Sequence, residues 1–310
     1  MLAYFCKYVP EELFQAFGTD ITCMEPHVTA FTQADALMHP NMCSFSKAVL
    51  EEFEKQDYEG MIFTSCCDSS RRLYDLLRHL FPDKFFFCLD LPRKINDFAV
   101  TLYTRQLEDL IDAYTAFSGK TFSEEKLLEI CRKRATEQKR TNVSRDFDAS
   151  TWQSAAIVDH SPAPTISTND SPTSSQDDKL RIALAGARPG SEIRQLITDH
   201  QAKVVLDLTC TGIQRNYDLH AAQILPAYAH ALLDQLPCMR MAAASNRQRI
   251  LDAYEDRIDG IIYHTVKFCD IYAYEYTKLH ETSNLPILKI ETDATAQCAG
   301  QILTRLEAFL

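Results

Sequence analysis

Cysteine is the residue type whose placement along this chain points most directly to chemistry. Two apolar runs, GMIFTSCCD at 60–68 and GIIYHTVKFCD at 260–270, each end in cysteine followed by aspartate. Cys6 follows the run MLAYF, and Cys210 follows VVLDLT. Runs of this length and composition predict buried strands. Four predicted strands therefore end in a thiol.

Further cysteines lie where the chain would cross the same edge of a parallel sheet. Cys43, in HPNMC, and Cys238, in LPC, stand just before helices that lead into the key strands. Ligands of open α/β sheets bind at this edge. A buried cysteine is often a small core residue, but core residues should scatter rather than gather at one edge. Four others do scatter and are left out of the predicted site: Cys23, Cys88, Cys131 and Cys298.

Thiols on separate loops could form a zinc site, an iron–sulfur cluster or the nucleophile of an enzyme, and their spacing helps to choose among these. The paired CxxC or HxxxH spacings of a zinc site are absent, and so is the ferredoxin spacing. Dispersed thiolates do suit an iron–sulfur cluster, whose iron atoms take sulfur ligands. Spacing also leaves open a nucleophilic cysteine paired with His27, His39 or His264.

The elements that must position these thiols alternate apolar strands with helices in two stretches, 1–95 and 179–310. MLAYFCKYVPEELFQAF matches RIALAGARPGSEIRQLI, GMIFTSCCD matches GIIYHTVKFCD, and KFFFCLDLP matches LPILKIETD, in the same order. Nearly continuous apolar strands predict parallel sheets covered on both faces. We therefore predict an α/β protein with two Rossmann-like parallel-sheet domains related by internal duplication.

The stretch between the two predicted domains has two parts. Residues 96–140 have helical periodicity and predict a helical insertion, with Ser123 ahead of Glu124 and Glu125 as a cap. Residues 141–178 are rich in Ser, Thr, Asp and Pro, with too little apolar surface to offset the entropy of ordering. We predict a flexible linker there.

The composition of the chain indicates which partners and which cellular compartment to expect. A net charge of −11 and a pI near 5.3 argue against nucleic acid as a partner. The sequence contains neither a membrane span nor a signal peptide, so we expect a soluble, cytoplasmic protein. Eleven cysteines in a reducing compartment favour metal ligands, redox groups or core residues over disulfides.

Several motifs, in order, resemble one known family. They are CKYVPEEL, NMCSFSKAVL, SCCDSSRRLYDLL, LDLPR, CTGIQRNYDL, LPC, DGIIYHTVKFCDIYAYE, LPILKIETDA and QILTRLEAFL. Together they resemble the 2-hydroxyacyl-CoA dehydratase and benzoyl-CoA reductase family, including its double-cubane-cluster reductases. The resemblance covers both ordered stretches and leaves out the linker.

The resemblance implies an oxygen-sensitive enzyme with an iron–sulfur cluster between two Rossmann-like domains. It also implies an ATP-hydrolysing activator protein that delivers low-potential electrons. In the dehydratases such an electron makes a ketyl radical from a 2-hydroxyacyl-CoA, so that a β-proton and hydroxide can leave. The partner subunit would be a second copy or a related chain.

The family's ligands carry over residue by residue. Cys43, Cys67 and Cys269 stand where dehydratase-type members hold a [4Fe–4S] cluster with three thiolates. The motifs of the remaining three ligands resemble double-cubane members, whose six thiolates hold an [8Fe–9S] cluster: Cys6, Cys210 and Cys238. With all six present, the resemblance slightly favours the double cubane, and whether Cys66 replaces Cys67 stays open.

For the charged residues near the cysteines we mostly predict structural or surface roles. Three arginines could contact CoA phosphates, although solvated surface positions are the simpler reading: Arg71, Arg72 and Arg93. Glu11 and Glu12 should begin a helix behind Pro10. Two aspartates that follow cysteines are expected to cap the next helices: Asp68 and Asp270.

Four readings of function follow. The first is a double-cubane reductase of a small molecule, and within the same family its rival is a subunit of a [4Fe–4S] dehydratase acting on an acyl-CoA. A non-catalytic electron-transfer or cluster-carrying protein is the reading from another class. A cysteine hydrolase, active in air and blocked by a thiol alkylator, is the remaining alternative.

Overall fold

The computed structural model describes residues 1–142, 179–200, 202–211, 217, 219, 223–295 and 299–310. Nearly all of the predicted linker at 141–178 lies outside these residues. The chain divides into two compact units, the first formed by residues 1–144 and 215–235 and the second by residues 145–214 and 236–310. Among the described residues, no helix is both long enough and apolar enough to cross a bilayer.

Each unit contains a four-stranded sheet in which all neighbouring strands are parallel. The first sheet has the order β2-β1-β3-β4, with β1 (Leu2–Tyr4), β2 (Ile21–Cys23), β3 (Gly60–Thr64) and β4 (Phe85–Leu89). The second has the order β6-β5-β7-β8, with β5 (Leu180–Gly186), β6 (Ala202–Thr209), β7 (Gly260–Val266) and β8 (Ile287–Thr292). The same strand order occurs twice, and the predicted fold class is confirmed.

Helices connect the strands, as parallel pairing requires. In the first unit they are α1 (Glu11–Ala16), α2 (Gln33–Leu37), α3 (Ser44–Lys55), α4 (Asp68–Leu80), α5 (Asp97–Ser118), α6 (Glu124–Asn142) and α8 (Ile224–Leu233). In the second they are α7 (Ser191–Asp199), α9 (Asn246–Ala253), α10 (Asp270–Thr282) and α11 (Ala299–Phe309), with 3-10 turns at Ala242–Ser245 and Glu255–Arg257.

Helices α5 and α6 cover most of residues 96–140, for which the sequence predicts a helical insertion, and the ends of these helices carry capping groups. The Asn96 side chain accepts a hydrogen bond of 2.8 Å from the Ala99 amide at the start of α5. Gly119, at φ +68°, ends that helix in the left-handed conformation. The Ser123 hydroxyl accepts from the Lys126 amide at 3.2 Å, so Ser123 caps α6 as predicted.

The two sheets build separate apolar cores. In the first unit Met61 and Phe63 of β3 pack with Phe53 of α3 and Leu77 of α4. In the second unit Ile182 and Leu184 of β5 pack with residues of the flanking helices, Ile197 of α7 and Leu306 of α11 among them. Burial of these side chains is the main force that fixes strand order in each unit.

A buried charge joins the insertion to α1. Glu12 is fully buried, whereas the sequence suggests only a favourable position at a helix start. Arg134 of α6 donates hydrogen bonds to both Glu11 and Glu12, and the Tyr228 hydroxyl of α8 donates to Glu12 at 2.6 Å. Burial lowers the pKa of Arg134, but the two glutamates more than offset that effect and raise it. The network therefore fastens α6 and α8 to α1.

His264 lies in the centre of β7 and is almost fully buried. One ring nitrogen lies 3.3 Å from the Ala187 carbonyl oxygen, and the other lies 3.0 Å from the Thr292 hydroxyl. Burial lowers the pKa of His264 to about 4, against the hydrogen bond to Ala187, which raises it. The ring is thus held neutral in the core.

Gly186 ends β5 with φ +98°, a backbone conformation that suits glycine. A Cβ atom at this position would lie 2.1 Å from the backbone oxygen of His264, which is much closer than van der Waals contact. The Gly186 carbonyl accepts a hydrogen bond of 3.1 Å from the Cys210 amide. The missing side chain lets β5 and β7 pair while Cys210 is fixed beside them.

We expect Tyr228→Phe to lower the free energy of unfolding by about 2 kcal/mol, because a hydrogen bond to a buried carboxylate is lost. Urea denaturation followed by circular dichroism measures the change. Tyr74→Phe is the matched control, since the hydrogen bond that the described residues give its hydroxyl is a long one, from Arg78 at 3.5 Å at an exposed site, and it should change stability by less than about 0.5 kcal/mol. Equal effects of the two substitutions would contradict the buried network.

We expect Gly186→Ala to destabilise the protein by about 2 kcal/mol or more, because both the steric contact and the positive φ oppose a side chain. Gly300→Ala in α11 should have the opposite sign and stabilise by about 1 kcal/mol, since nothing lies within 4 Å of its Cβ position. Thermal unfolding of both variants provides the comparison. A neutral Gly186→Ala would show that the β5 turn can relax.

The neutral His264 should make stability fall with acid. Below pH 6.5 the His264 side chain binds a proton in the unfolded chain, but in the folded chain it stays neutral down to about pH 4. The free energy of unfolding therefore falls as the pH drops from 6.5 to 4. Between pH 7 and pH 5 the wild type should lose about 2 kcal/mol more than His264→Gln. Urea denaturation at both pH values measures the difference, and identical losses would show that His264 is not held neutral.

Candidate metal centre

The thiols emerge at one edge of each sheet. Because all strands of a sheet run in parallel, the loops after their carboxyl ends share that edge. Cys6 follows β1, and Cys66 and Cys67 follow β3 in the first unit. Cys210 follows β6 and Cys269 follows β7 in the second. The structure therefore confirms the strands that the sequence places before each of these cysteines.

Cys43, Cys67 and Cys269 each occupy the N-cap position of a helix, α3, α4 and α10 respectively. The amide groups of a helix's first turn lack intrahelical partners and carry partial positive charge, which favours a thiolate there. The Cys67 sulfur accepts a hydrogen bond of 3.4 Å from the Ser70 amide. The three family-derived ligand positions thus share a place at the start of a helix, and of the three side chains only that of Cys67 accepts a capping hydrogen bond in the described contacts.

The predicted aspartate caps are wrong by one residue. Asp68 and Asp270 are the first residues inside α4 and α10, and the cysteine before each of them is the N-cap. The physical reason is that each strand and its turn end one residue earlier than a cap by aspartate would need. The carboxylates still lie in the positive first turn.

Three thiols of the first unit form a hydrogen-bonded chain. Cys66 is hydrogen-bonded both to Cys6 and to Cys67, and all three side chains are half-buried. The hydrogen bond with Cys66, together with burial, raises the pKa of Cys6. The hydrogen bond with Cys6 lowers the pKa of Cys66. The hydrogen bond with Cys67 and burial of the side chain raise this pKa by more, so the net shift is upward. In the absence of a metal, Cys6 and Cys66 therefore hold their protons.

The loop that carries Cys6 is fixed from two sides. The Val9 amide donates to the Cys6 carbonyl at 3.0 Å and closes a tight turn. The buried Tyr103 hydroxyl of α5 donates to the Tyr8 carbonyl at 2.8 Å, and the Gln235 side chain donates to the Lys7 carbonyl at 3.4 Å. The helical insertion thereby helps to position the first thiol.

Polar groups surround the same edge near β4. The Ser65 hydroxyl donates to Asp90 at 2.6 Å and accepts from the Leu91 amide at 2.9 Å. Arg71 forms an ion pair of 3.3 Å with Asp90. Burial raises the pKa of the Cys88 thiol to about 11, although the positive charge of Arg71 acts against it. Cys88 is therefore a protonated strand residue beside the edge.

In the second unit a tyrosine lies beside two of the thiols. The Cys238 sulfur and the Tyr272 hydroxyl are 3.8 Å apart, and either group can donate the hydrogen bond. Burial raises the pKa of Tyr272, and the nearby sulfurs of Cys238 and Cys210 raise it further. This phenol is held protonated and can donate to sulfur. Its position on α10 places it one turn from the Cys269 cap.

A buried ion pair supports that tyrosine. Arg247 of α9 binds both oxygens of Glu275, and its guanidinium carbon lies 5.9 Å from the centre of the Tyr272 ring. The Tyr263 hydroxyl oxygen lies 2.6 Å from the same carboxylate and 2.9 Å from the Tyr272 carbonyl oxygen, and its single hydrogen can be donated to either of these acceptors. Burial, followed by Glu275, raises the pKa of Tyr263. Buried pairs of this kind stabilise only when all polar atoms are paired, yet Arg247 Nη1 has no hydrogen-bond partner among the described residues.

Phe268, immediately before Cys269, has φ +62°, which is uncommon for a residue with a side chain. The Cys269 amide donates to the Val266 carbonyl at 2.9 Å and closes the turn. The Phe268 ring is 42% exposed and lies under the Lys267 ammonium group at 5.4 Å. The backbone at the carboxyl edge of β7 is therefore strained at the residue directly before Cys269.

The three candidate CoA-binding arginines are placed differently. Arg71 sits at the edge in its ion pair with Asp90, whereas Arg72 pairs with Asp75 along the exposed face of α4 at 3.1 Å. Arg93 is exposed in the segment after β4. Of the three, Arg71 is the one whose ion pair lies at the carboxyl edge of the first sheet, with Asp90 after β4.

Histidines do not pair with the thiols in the contacts that the structure describes. His264 contacts Ala187 and Thr292, and His39 accepts a hydrogen bond from the Asn41 amide at 3.2 Å. His27 is exposed. The cysteine hydrolase alternative needs a thiol and an imidazole in contact, and these contacts do not provide one.

The cysteines excluded from the site lie within secondary structure. Cys23 is in β2, Cys88 is in β4, and Cys131 is fully buried in α6. Cys298 lies outside the described residues.

The donor chemistry fits an iron–sulfur cluster, because sulfur dominates the carboxyl edge of both sheets. Among the described residues, however, no three His, Cys, Asp or Glu side chains converge closely enough to hold one metal ion. The residues thus supply the right donor type without a closed ligand set.

Sequence reasoning missed two groups of residues around the thiols. Tyr272 and Glu275 follow Cys269 at helical spacing in CDIYAYE, a signal that could have placed them on one face of α10. Arg247 gave no comparable signal, since its partner Glu275 is 28 residues away in the sequence.

Comparison with known proteins gives two matches. The family model described as 2-hydroxyglutaryl-CoA dehydratase, D-component, matches residues 6–310. One of the subunits of benzoyl-CoA reductase from Thauera aromatica is 26% identical over 138 residues, which cover 41% of this chain and 34% of that protein. The chain therefore matches about a third of the length of this relative. Because the family match runs over nearly the whole chain, the protein belongs to the 2-hydroxyacyl-CoA dehydratase and benzoyl-CoA reductase family.

Proposed function

We propose that this protein is an iron–sulfur enzyme of its family that receives low-potential electrons from an ATP-hydrolysing activator. The observation that carries the proposal is the repeated placement of a cysteine at a helix N-cap, at Cys43, Cys67 and Cys269. Helix N-termini favour the thiolate form that iron requires. The family match over residues 6–310 supports the same function.

Six thiols form the proposed ligand set, three in each unit: Cys6, Cys43, Cys67, Cys210, Cys238 and Cys269. We favour a double-cubane [8Fe–9S] cluster over a [4Fe–4S] cluster, because the chain has all six cysteines at the motif positions that resemble the double-cubane members. When bound, the cluster would supply one-electron chemistry at a potential set by its ligands and their hydrogen bonds.

This chain's own residues would control the surroundings of the cluster. The Tyr272 hydroxyl and the Ser70 amide donate, or can donate, hydrogen bonds to ligand sulfurs. The Tyr103 and Gln235 contacts hold the Cys6 turn in place. Such outer contacts orient ligands and tune a metal site. Ordered ligands and a dry surrounding are what the protein contributes to cofactor chemistry.

Partners and substrate follow from the family. The relative is named as one subunit of benzoyl-CoA reductase, and we propose that this chain also works as a homodimer or with a related subunit. An acyl-CoA is the proposed substrate if the chain is a dehydratase component, with the phosphates held in part by Arg71. If the chain holds the larger, double-cubane cluster, we propose instead that it reduces a small molecule.

We expect protein purified without oxygen to contain iron and acid-labile sulfide, about eight irons per chain for the double cubane and about four for a single cubane. Cys67→Ala and Cys269→Ala should each lose most of that iron, because a ligand is removed. Cys23→Ala, in the edge strand β2, is the matched control and should keep it. Iron analysis with EPR spectroscopy measures the result, and iron-free wild-type protein would overturn the proposal.

Activity assays separate the readings within the family. Incubation with activator, ATP and a 2-hydroxyacyl-CoA should give an enoyl-CoA if the chain is a dehydratase component. Reduction of a small substrate without dehydration supports the reductase. A reducible cluster with no turnover in either assay would favour the non-catalytic, electron-carrying alternative.

A further inference from the structure

We propose that a cavity in the second unit binds a small monocarboxylate with an apolar body, and that the buried guanidinium of Arg247 holds the carboxylate. The cavity has a volume of about 310 Å³ and lies between α9 and α10, beside the 3-10 turn at Ala242–Ser245. None of the six proposed cluster ligands is among the described residues that line it. The inference therefore does not depend on the proposed function.

The cavity lies on one face of the second sheet, and an apolar core covers the other face. Ala185 of β5 and Leu208 of β6 line the cavity, and these two residues are register partners in neighbouring strands. Leu184, the residue before Ala185, packs in the core with α7 and α11. Successive side chains of a strand point to opposite faces. All the lining residues belong to the second unit, so the cavity is built within that unit.

Arg247 is the residue that points to an anionic ligand. It is 2% exposed, and its Nε and Nη2 atoms donate to the Glu275 carboxylate. Its Nη1 atom has no hydrogen-bond partner among the described residues. A buried donor without a partner costs about 1–3 kcal/mol. Because Arg247 lines the cavity, an anion bound there can accept from Nη1 and recover this cost.

The charged residues of the lining suit a ligand with one negative charge. Arg247 and Lys278 are positive and Glu275 is negative, which leaves one net positive charge. The Glu275 carboxylate already has donors of its own, namely Arg247 and the Tyr263 hydroxyl, whose oxygen lies 2.6 Å away. A carboxylate carries the single charge that is needed, whereas a phosphate group carries about 1.5 to 2 at neutral pH.

The rest of the lining suits an apolar body. Met239, Leu251 and Leu279 line the cavity together with alanine side chains. Tyr274, which is 72% exposed, and the exposed Lys278 also line it, so the cavity opens to solvent beside α10. Small-molecule sites are mostly apolar with a few polar groups and have volumes of about 300–1,000 Å³. A cavity at the lower end of this range suits a short-chain acid such as hexanoate.

The test is isothermal titration calorimetry of the full chain with hexanoate as the probe, and we expect saturable binding. The alcohol 1-hexanol has the same chain without the charge and should bind at least about tenfold more weakly, because the hydrogen bond to a charged group is lost. Acetate keeps the charge without the chain and should also bind at least about tenfold more weakly. Inorganic phosphate should bind more weakly than hexanoate.

Two variants assign the binding to this cavity without breaking the pair of Arg247 and Glu275. Ala244→Leu, at a half-buried lining position, fills part of the cavity and should weaken hexanoate binding by about tenfold. Lys278→Gln removes an exposed positive charge and should weaken it by about threefold. Lys203→Gln is the matched control, because this exposed lysine of β6 is not among the described lining residues, and it should leave binding unchanged.

The remaining outcomes overturn the inference. Folded wild-type protein without saturable hexanoate binding contradicts it, and so does binding that Ala244→Leu leaves unchanged, because the acid would then bind elsewhere. Binding of 1-hexanol as tight as that of hexanoate would show that Arg247 holds no carboxylate, and tighter binding of phosphate would show the wrong ligand class. Circular dichroism melting checks the fold of each variant, and Lys278→Gln decides the result if Ala244→Leu is unfolded. Iron analysis tests the proposed function separately.

Discussion

Parallel strand direction is the constraint on which the rest of this structure depends. Each right-handed strand-to-helix connection ends a strand and begins a helix at the same edge of the sheet. Two kinds of group meet there as a result, namely the side chains that follow strands and the unpaired amides of helix first turns. Cys67 and Cys269 occupy both roles at once, since each follows a strand and caps a helix. Sulfur thereby gains a favourable electrostatic position in a protein whose net charge is −11.

The same fold occurs twice, but the surroundings of the thiols differ. In the first unit sulfur contacts sulfur, through Cys6, Cys66 and Cys67. In the second a protonated phenol, Tyr272, lies beside the sulfurs, supported by a buried ion pair. The shared topology therefore fixes where the thiols lie at the edge of each sheet. The side chains of the neighbouring loops and helices fix which groups lie beside each sulfur. Such a division would let the outer contacts change without loss of the shared edge.

The chain path places two of the cysteines at the ends of an excursion. Residues 215–235 belong to the first unit, although the residues on both sides belong to the second. Cys210 precedes this excursion and Cys238 follows it. Helix α8 is held within the first unit by the Tyr228 hydrogen bond to buried Glu12, and Glu12 is paired with Arg134 of the insertion. The insertion thus has a structural role in holding this returning segment.

The sequence by itself determined the strands other than β2, the repeated order of elements and the thiols at strand ends, because hydrophobic periodicity and local caps such as Ser123 act over a few residues. It did not predict β2 (Ile21–Cys23), which is only three residues long and has no apolar run of its own. It did not determine which residue caps α4 and α10, since a shift of one residue depends on where tertiary packing ends the strand. Only the tertiary structure decided that Glu12 is buried against Arg134, and that Tyr272 lies beside Cys238. These partners are 122 and 34 residues apart, and contacts at such separations are set by how helices pack on a sheet, which no local pattern records.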